Sequence, residues 1–300
     1  MASTAFTPQT PFGRIVVAMV TPFTADGALD LDGAAGLAEH LIGSGCDALV
    51  LNGTTGEAPT TTDEEKSAVL RAVLGAVGGR ARIIAGVGTN STAHSVEQAK
   101  AAQAAGAHAL LAVTPYYSRP PQEGVYRHFT AIADATDLPV MLYDIPGRTA
   151  TPIETETIVR LAAHERIIAV KDAKGDLGAS SWAMARTDLA YYCGDDMLNL
   201  SSLAIGSVGT VSVVGHLVAA ELRSMYDAYN GGDVAKAREI HQSLLPVYTG
   251  VFRTQGVITT KAALRRLGRP AGPVRPPLVD LTDDQLRTLR ADLAAAGLTI

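Results

Sequence analysis

A lysine closes an apolar run in the middle of the chain: Ile167-Ile168-Ala169-Val170 leads straight into Lys171. If that run is a buried strand, the amine at its end loses hydration, which favours the neutral form over the ammonium. A neutral amine in a dry pocket is the nucleophile of Schiff-base chemistry on a carbonyl substrate. The competing reading is a strand-end lysine whose head snorkels to solvent or pairs with Asp172. Other residues could serve the same chemistry. Gly53-Thr54-Thr55-Gly56 sets two hydroxyls and open backbone N–H groups between glycines. Such a loop can cradle a carboxylate, or simply turn the chain. Tyr143 ends another apolar run and reads as a phenolic acid/base or as a core aromatic with a polar tip. Arg148, just past Pro146-Gly147, reads as a bidentate carboxylate clamp or as a solvated surface arginine.

Positioning these residues requires a scaffold, and the rest of the chain supplies its pattern. Short apolar runs at 15–20, 48–51, 83–85, 109–113, 140–143, 167–170, 190–192 and 210–213 read as strands. They are continuous rather than alternating, as strands buried on both faces should be. Helical stretches follow at 32–44, 63–77, 93–105, 123–136, 153–163, 177–187, 198–205 and 218–229. Thr62-Asp63-Glu64-Glu65 and Thr151-Pro152-Ile153-Glu154 have the form of capping boxes, the second with Pro at the first helical position. Asp32 reads as an N-cap. Gly45, Gly106 and Gly206 fall just after helices, where a left-handed cap wants no Cβ.

Eight strand–helix units predict a (β/α)8 TIM barrel over residues 1–230, with a doubly wound open sheet as the alternative. In such a barrel the C-terminal strand ends meet at one mouth. That would gather Asn52 to Glu57, Thr114 to Tyr117, Tyr143 to Thr149, Lys171-Asp172, Gly194-Asp195-Asp196 and Val211 to Val213. After Gly231-Gly232 the pattern changes to helices at 233–245 and 257–267. Pro270, Pro273, Pro276 and Pro277 then form a stiff linker, and a capping box at Thr282 starts a last helix ending near Ala296. Residues 231–300 therefore read as a small C-terminal helical appendix.

Composition narrows the function classes. The 300 residues are 47% hydrophobic and 18% charged, with net charge −5. That argues against a disordered chain and against the basic face of a nucleic-acid binder. No apolar run approaches the ~20 residues of a membrane span. The segment MASTAFTPQTPFGR lacks the charged and apolar regions of a secretory signal. Two cysteines, Cys46 and Cys193, make neither a disulfide framework nor a metal site, and read as buried small hydrophobes in a cytoplasmic setting. The seven histidines lack metal-ligand spacing. Asp30-Leu31-Asp32-Gly33 lacks the other ligands of a calcium loop, and Gly86-Val87-Gly88 lacks the third glycine of a dinucleotide fingerprint. Only six of the 25 basic residues are lysines. Lys171 stands out among them; Lys66, Lys100, Lys174, Lys236 and Lys261 read as compositional habit, with Lys174 an ordinary loop lysine.

Taken together, Gly53-Thr54-Thr55-Gly56-Glu57, Val113-Thr114-Pro115-Tyr116-Tyr117, Tyr143-Asp144-Ile145-Pro146-Gly147-Arg148-Thr149 and Lys171-Asp172-Ala173 resemble, in order and spacing, the dihydrodipicolinate synthase / N-acetylneuraminate lyase family. The likeness runs from about Gly13 through the C-terminal helices and is nearest the synthase members. The resemblance implies that Lys171 condenses with pyruvate and that the resulting enamine attacks L-aspartate 4-semialdehyde. Cyclisation would then give the hydroxy-tetrahydrodipicolinate that opens lysine and diaminopimelate synthesis. It implies a proton relay of Tyr143, Thr55 and Tyr117, the last reaching in from a neighbouring subunit of a homotetramer built as a dimer of dimers. It further implies that Thr54 and Thr55 hold the pyruvate carboxylate, that Arg148 holds the semialdehyde carboxylate, and that Gly194 and Val211 line the pocket with their backbone. Val211 replaces a commoner Ile. No metal or organic cofactor is implied.

The pattern departs from lysine-inhibited members at Asp63, Lys66 and His94, although Asn90 and Tyr116 are kept, so feedback by L-lysine is expected to be weak or absent. The rival readings are a sibling class I pyruvate aldolase or lyase, such as an N-acetylneuraminate lyase or a keto-deoxy-sugar aldolase, and a catalytically inactive binding or regulatory homologue. Thr54, where sialate lyases usually carry Ser, and Arg148 favour the synthase members. Retention of Lys171, Tyr143, Thr55, Tyr117 and Arg148 together argues against an inactive homologue.

Overall fold

The structure is a computed structural model that describes residues 6–300. Residues 1–5, the start of the segment read as lacking a secretory signal, lie outside the described residues. The barrel elements follow in chain order as β1 (Ile15–Ala18), α1 (Leu31–Gly43), β2 (Ala48–Leu51), α2 (Asp63–Val77), β3 (Arg82–Gly86), α3 (Thr92–Ala104), β4 (Ala109–Val113) and α4 (Gln122–Asp134). They continue as β5 (Val140–Asp144), a one-turn α5 (Pro146–Thr149), α6 (Thr155–Leu161), β6 (Ile167–Asp172), α7 (Leu177–Met184), β7 (Ala190–Cys193), α8 (Asn199–Ile205), β8 (Gly209–Ser212) and α9 (Gly215–Asn230). Then come α10 (Val234–Val251), α11 (Gly256–Arg266) and α12 (Asp283–Ala295). The eight strands form a closed parallel barrel, with β8 returning to β1. This is the predicted TIM barrel rather than an open sheet.

Strand alternation divides the apolar residues into two layers. Val16, Ala18, Ala48, Val50, Ile84, Ala109, Leu111, Met141, Tyr143, Ala169, Ala190, Tyr192 and Val211 fill the barrel interior. The alanines leave room for the two tyrosines. The opposite strand faces, with Val17, Leu49, Ile83, Leu110, Leu142 and Val170, pack against the surrounding helices. Tyr248, Leu264 and Leu293 of the C-terminal helices join this same outer core.

The N-terminal end of the barrel is sealed. The Tyr192 hydroxyl donates to the Gly13 carbonyl at 3.0 Å and accepts from the Phe12 N–H at 3.1 Å. Asp47 accepts from the Arg14 and Ile15 N–H groups and pairs with Arg223 at 2.6 Å.

Several local expectations hold. The capping boxes at Thr62 and Thr282 are both formed. Gly45, Gly106 and Gly206 take φ of +105°, +91° and +115°. Two caps differ. The N-cap of α1 is Asp30, whose side chain accepts from Gly33 N–H, and Asp32 sits in the first turn. Residues 151–154 do not start a helix; α6 begins at Thr155 with no side-chain cap. The reason is tertiary: Asp144 accepts from the Ile153 N–H at 3.1 Å, while Gln122 accepts from Glu154 N–H and donates to the Pro152 carbonyl. These bonds hold the segment extended past the point where the sequence would nucleate a helix. The proline-rich stretch after α11 lies against the barrel's C-terminal end, where the Ala271 carbonyl accepts from Phe23 N–H at 3.1 Å.

Candidate active site

β5 and β6 are neighbours in register, so Tyr143 and Lys171 stand side by side. Both point inward by the same alternation that buries Met141 and Ala169. Lys171 is 5% exposed, and its Nζ lies 4.0 Å from the Tyr143 ring centroid. The amine therefore rests on an aromatic face inside the barrel instead of snorkelling outward. Gly194 follows β7 and presses on the same lysine: a Cβ there would meet Lys171 Cγ at 3.1 Å. Val211 is buried in the same interior cluster as Tyr143.

The loop after β2 brings Thr54 and Thr55 to the mouth. Its turn uses left-handed backbone at Asn52 (φ 57°) and Glu57 (φ 56°). The Thr21 hydroxyl donates to the Gly56 carbonyl at 2.7 Å, and a Cβ on Gly56 would meet the Met19 carbonyl and Asn52 N at 3.3 and 3.2 Å. Thr54, Tyr143 and Arg148 line a cavity of about 420 Å³. Thr54, Thr55 and Arg148 line a second of about 290 Å³, with Val213, Phe252 and Leu278 on its apolar side. Two hydroxyls and a guanidinium thus face space at the barrel mouth, and the phenol at its floor carries the amine. Tyr117 is not among them. It lies on the loop after β4, 90% exposed and left-handed at φ 74°.

Behind the inward pair lies a polar layer not anticipated from the sequence. Asp144 and Asp172 each follow an inward residue and are paired across β5 and β6. Lys174 is no ordinary loop lysine: it pairs with buried Asp144 at 2.9 Å and donates to the Ile153 carbonyl at 2.9 Å. Burial raises the Asp144 carboxyl above its usual range, against the opposing pull of Lys174. Asp172 accepts from Ser180 Oγ and from the Lys174 N–H. Buried Asp196 accepts from Ser212 Oγ at 2.5 Å and from the Val213 and Val214 N–H groups, fixing the loop after β8; burial raises its carboxyl too. His216 joins that loop to the end of β1, accepting from Val20 N–H at 3.1 Å through Nε2 and donating to the Val213 carbonyl at 2.8 Å through Nδ1. Burial pushes it down to about 4.

Lys261 is likewise not compositional habit. It is 0% exposed and sits 2.5 Å from Glu57 Oε1, and burial lowers it to about 8 despite that partner. A charged residue directly after Tyr143, directly after Lys171 and inside the Gly-Thr-Thr-Gly-Glu loop was the available local signal for Asp144, Asp172 and Glu57. Nothing local marked Lys261.

At the outer rim of the larger cavity, Asp63 bonds His94 at 2.7 Å, Lys66 at 3.2 Å and Gln98 at 3.1 Å. The His94 hydrogen bond is the main reason its carboxyl lies below the usual range. Both cysteines are free and buried. Among the described residues no helix is long and apolar enough to cross a membrane.

The Dihydrodipicolinate synthetase family model matches residues 11–296. The 4-hydroxy-tetrahydrodipicolinate synthase 2 of Streptomyces coelicolor is 66% identical over the full length of both chains. The crystal structure of the DHDPS of Cyanidioschyzon merolae, with lysine bound, is 42% identical and superposes with a TM-score of 0.94 over 96% of this chain and 99% of that one. A monomeric dihydrodipicolinate synthase variant is 34% identical, with a TM-score of 0.93 over 97% of this chain and 99% of its own. With its barrel, its inward lysine and these relatives, the chain belongs to the dihydrodipicolinate synthetase family.

Proposed function

We propose that the chain condenses pyruvate with L-aspartate 4-semialdehyde, as a 4-hydroxy-tetrahydrodipicolinate synthase serving lysine and diaminopimelate formation. The observation that carries this reading is the Lys171 amine buried on the Tyr143 ring at the floor of the barrel mouth. The amine adds to the pyruvate carbonyl carbon, water leaves, and an imine forms. Loss of a methyl proton gives the enamine, whose carbon attacks the semialdehyde carbonyl. The semialdehyde's own amine then adds to the imine carbon and expels Lys171, closing the ring.

Thr54 and Thr55 hold the pyruvate carboxylate, Arg148 the semialdehyde carboxylate, and the Gly194 and Val211 backbone completes the wall. A Thr55 hydroxyl between the Tyr143 phenol and a second tyrosine would pass protons by short hops. Tyr117, exposed on its own chain, supplies that second phenol to a neighbouring copy, in a dimer that pairs again as a homotetramer. The lysine itself acts as electron sink, so the scheme calls on no cofactor. Reduced, buried cysteines suit a cytoplasmic setting. Asp63 bonds both Lys66 and His94 at the rim and so offers a second ammonium no free carboxylate, which supports weak or absent feedback by L-lysine.

Borohydride reduction in the presence of pyruvate, followed by peptide mass analysis, tests the central step. One pyruvyl adduct on Lys171 is expected. An adduct elsewhere, or none from active enzyme, overturns the scheme.

A further inference from the structure

The loop that carries Thr54 and Thr55 is held from the far end of the chain. Glu57 turns that loop through left-handed backbone and is itself buried. Both of its carboxylate oxygens are engaged, and both partners lie beyond residue 256. Lys261 Nζ on α11 sits 2.5 Å from Oε1, and the Arg275 backbone N–H donates to Oε2 at 2.8 Å. Lys261 is fixed in turn by the Pro273 carbonyl at 2.9 Å and by the Phe23 ring, whose centroid lies 4.1 Å from Nζ. The Arg275 guanidinium spans the loop's exit: it donates to both Glu65 oxygens at 2.6 and 2.7 Å, to the Thr60 carbonyl at 2.9 Å and to the Gly27 carbonyl. Glu65 is the same residue that closes the capping box of α2.

A buried ion pair of this kind is a poor source of stability, because desolvating two charges offsets most of their attraction. Apolar residues of similar volume would hold α11 to the barrel as well. What the charges add is direction. A carboxylate fixed at both oxygens sets the backbone two residues from Thr55, and a small displacement of a binding group is costly in binding and rate.

We infer that Glu57, Lys261 and Arg275 are positioning residues for the α-keto acid, holding the Thr54–Thr55 hydroxyls at the spacing its carboxylate requires. Lys261 and Arg275, neither of which lines the cavity of Thr54 and Thr55, thereby set pyruvate affinity without touching pyruvate. This rests on the assignment of Thr54 and Thr55 as the carboxylate cradle.

The test compares Glu57→Gln, Lys261→Met, the double variant Glu57→Gln/Lys261→Met and Arg275→Gln with Thr54→Val, in the full-length enzyme. In every strut variant that folds, the pyruvate KM should rise ~10-fold while kcat at saturation stays within about twofold and the semialdehyde KM holds. The pyruvate concentration for half-maximal borohydride trapping on Lys171 should move in parallel. The double variant separates positioning from plain support. With no lone buried charge it should recover thermal stability over the single variants, yet keep the raised pyruvate KM. A double variant whose pyruvate KM returns to the wild-type value along with its Tm overturns the inference, provided Thr54→Val raises that KM. If Thr54→Val leaves pyruvate KM unchanged, the cradle assignment fails and the strut falls with it. Arg275→Gln keeps the backbone bond to Glu57 and removes the guanidinium contacts to Glu65, Thr60 and Gly27 at the loop's exit; should the buried-charge variants not fold, an unchanged pyruvate KM in this variant overturns the inference.

Discussion

The loops after β2 and β4 each offer a hydroxyl to the proposed relay, Thr55 from one and Tyr117 from the other, and the chain treats them in opposite ways. The first is tied at Gly56 by Thr21, at Glu57 by Lys261 and at Thr60 by Arg275, and Thr55 is buried. The second leaves Tyr117 almost wholly exposed, with left-handed backbone there and again at Arg119. Left-handed backbone at non-glycine residues persists where surrounding structure or function demands it. A group that must be exact relative to Lys171 is braced within the chain. Tyr117, proposed to serve another copy, has no such brace among the described residues of its own chain.

This contrast can be broken most sharply by complementation. Lys171→Ala should lose activity by ~1,000-fold or more while keeping its fold, since among the described residues no other buried amine lies at the barrel floor. Tyr117→Phe should lose ~100-fold. Mixing the two variants under conditions of subunit exchange should restore activity, because a mixed pair then holds one intact site. Equal inactivity before and after exchange would show that Tyr117 works within its own chain.

A smaller effect probes the packing against Lys171 itself, from the loop after β7. Gly194→Ala places a Cβ 3.0 Å from the Ala173 Cβ and 3.1 Å from Lys171 Cγ and the Asp172 carbonyl. Displacing the lysine stem should cut kcat by ~10-fold with little change in Tm. Unchanged single-turnover imine formation would argue that Lys171 tolerates the shift.

The brace between β1 and the β8 loop should be acid-sensitive. His216 is neutral in the folded state because burial lowers it to about 4 from 6.5. Below pH 6.5 the unfolded chain takes up the proton first, so the stability present at neutral pH is lost as pH falls from 6.5 through 4, roughly 3 kcal/mol in all. His40 nearby pushes the same way, whereas the raised carboxyls of Asp144 and Asp196 favour the folded state in acid. Urea midpoints measured from pH 7 to pH 4 should fall less steeply in His216→Gln than in the wild type; superimposable curves would remove His216 as the source.

The smallest expected effect is none. L-lysine up to millimolar concentrations should leave steady-state activity nearly unchanged, since the rim carboxylate of Asp63 is already engaged by Lys66, His94 and Gln98. Half-inhibition at low millimolar L-lysine would contradict that.

The barrel was legible because its evidence is local. Eight apolar runs and the turns between them mark strands buried on both faces, and closure follows from their number and alternation. Thr62, Thr282, Gly45, Gly106 and Gly206 signal their helix ends through their own chemistry. The expectation failed at residues 151–154, where bonds from Asp144 and Gln122 outweigh a good local cap. Lys171 could be singled out because an amine ending an apolar strand is costly to bury without a purpose.

The amino-acid sequence by itself determined the alternation of strands and helices and the presence of a lysine at the end of the sixth strand. It determined which residues follow each strand, and so which ones could share a mouth. Tertiary structure decided that Lys171 lies on the Tyr143 ring, that Lys174 serves Asp144, and that Lys261 and Arg275 grip Glu57 across some two hundred residues of chain. Periodicity is written in neighbours a few residues apart, whereas a buried charge is satisfied by whatever partner the closed barrel brings to it.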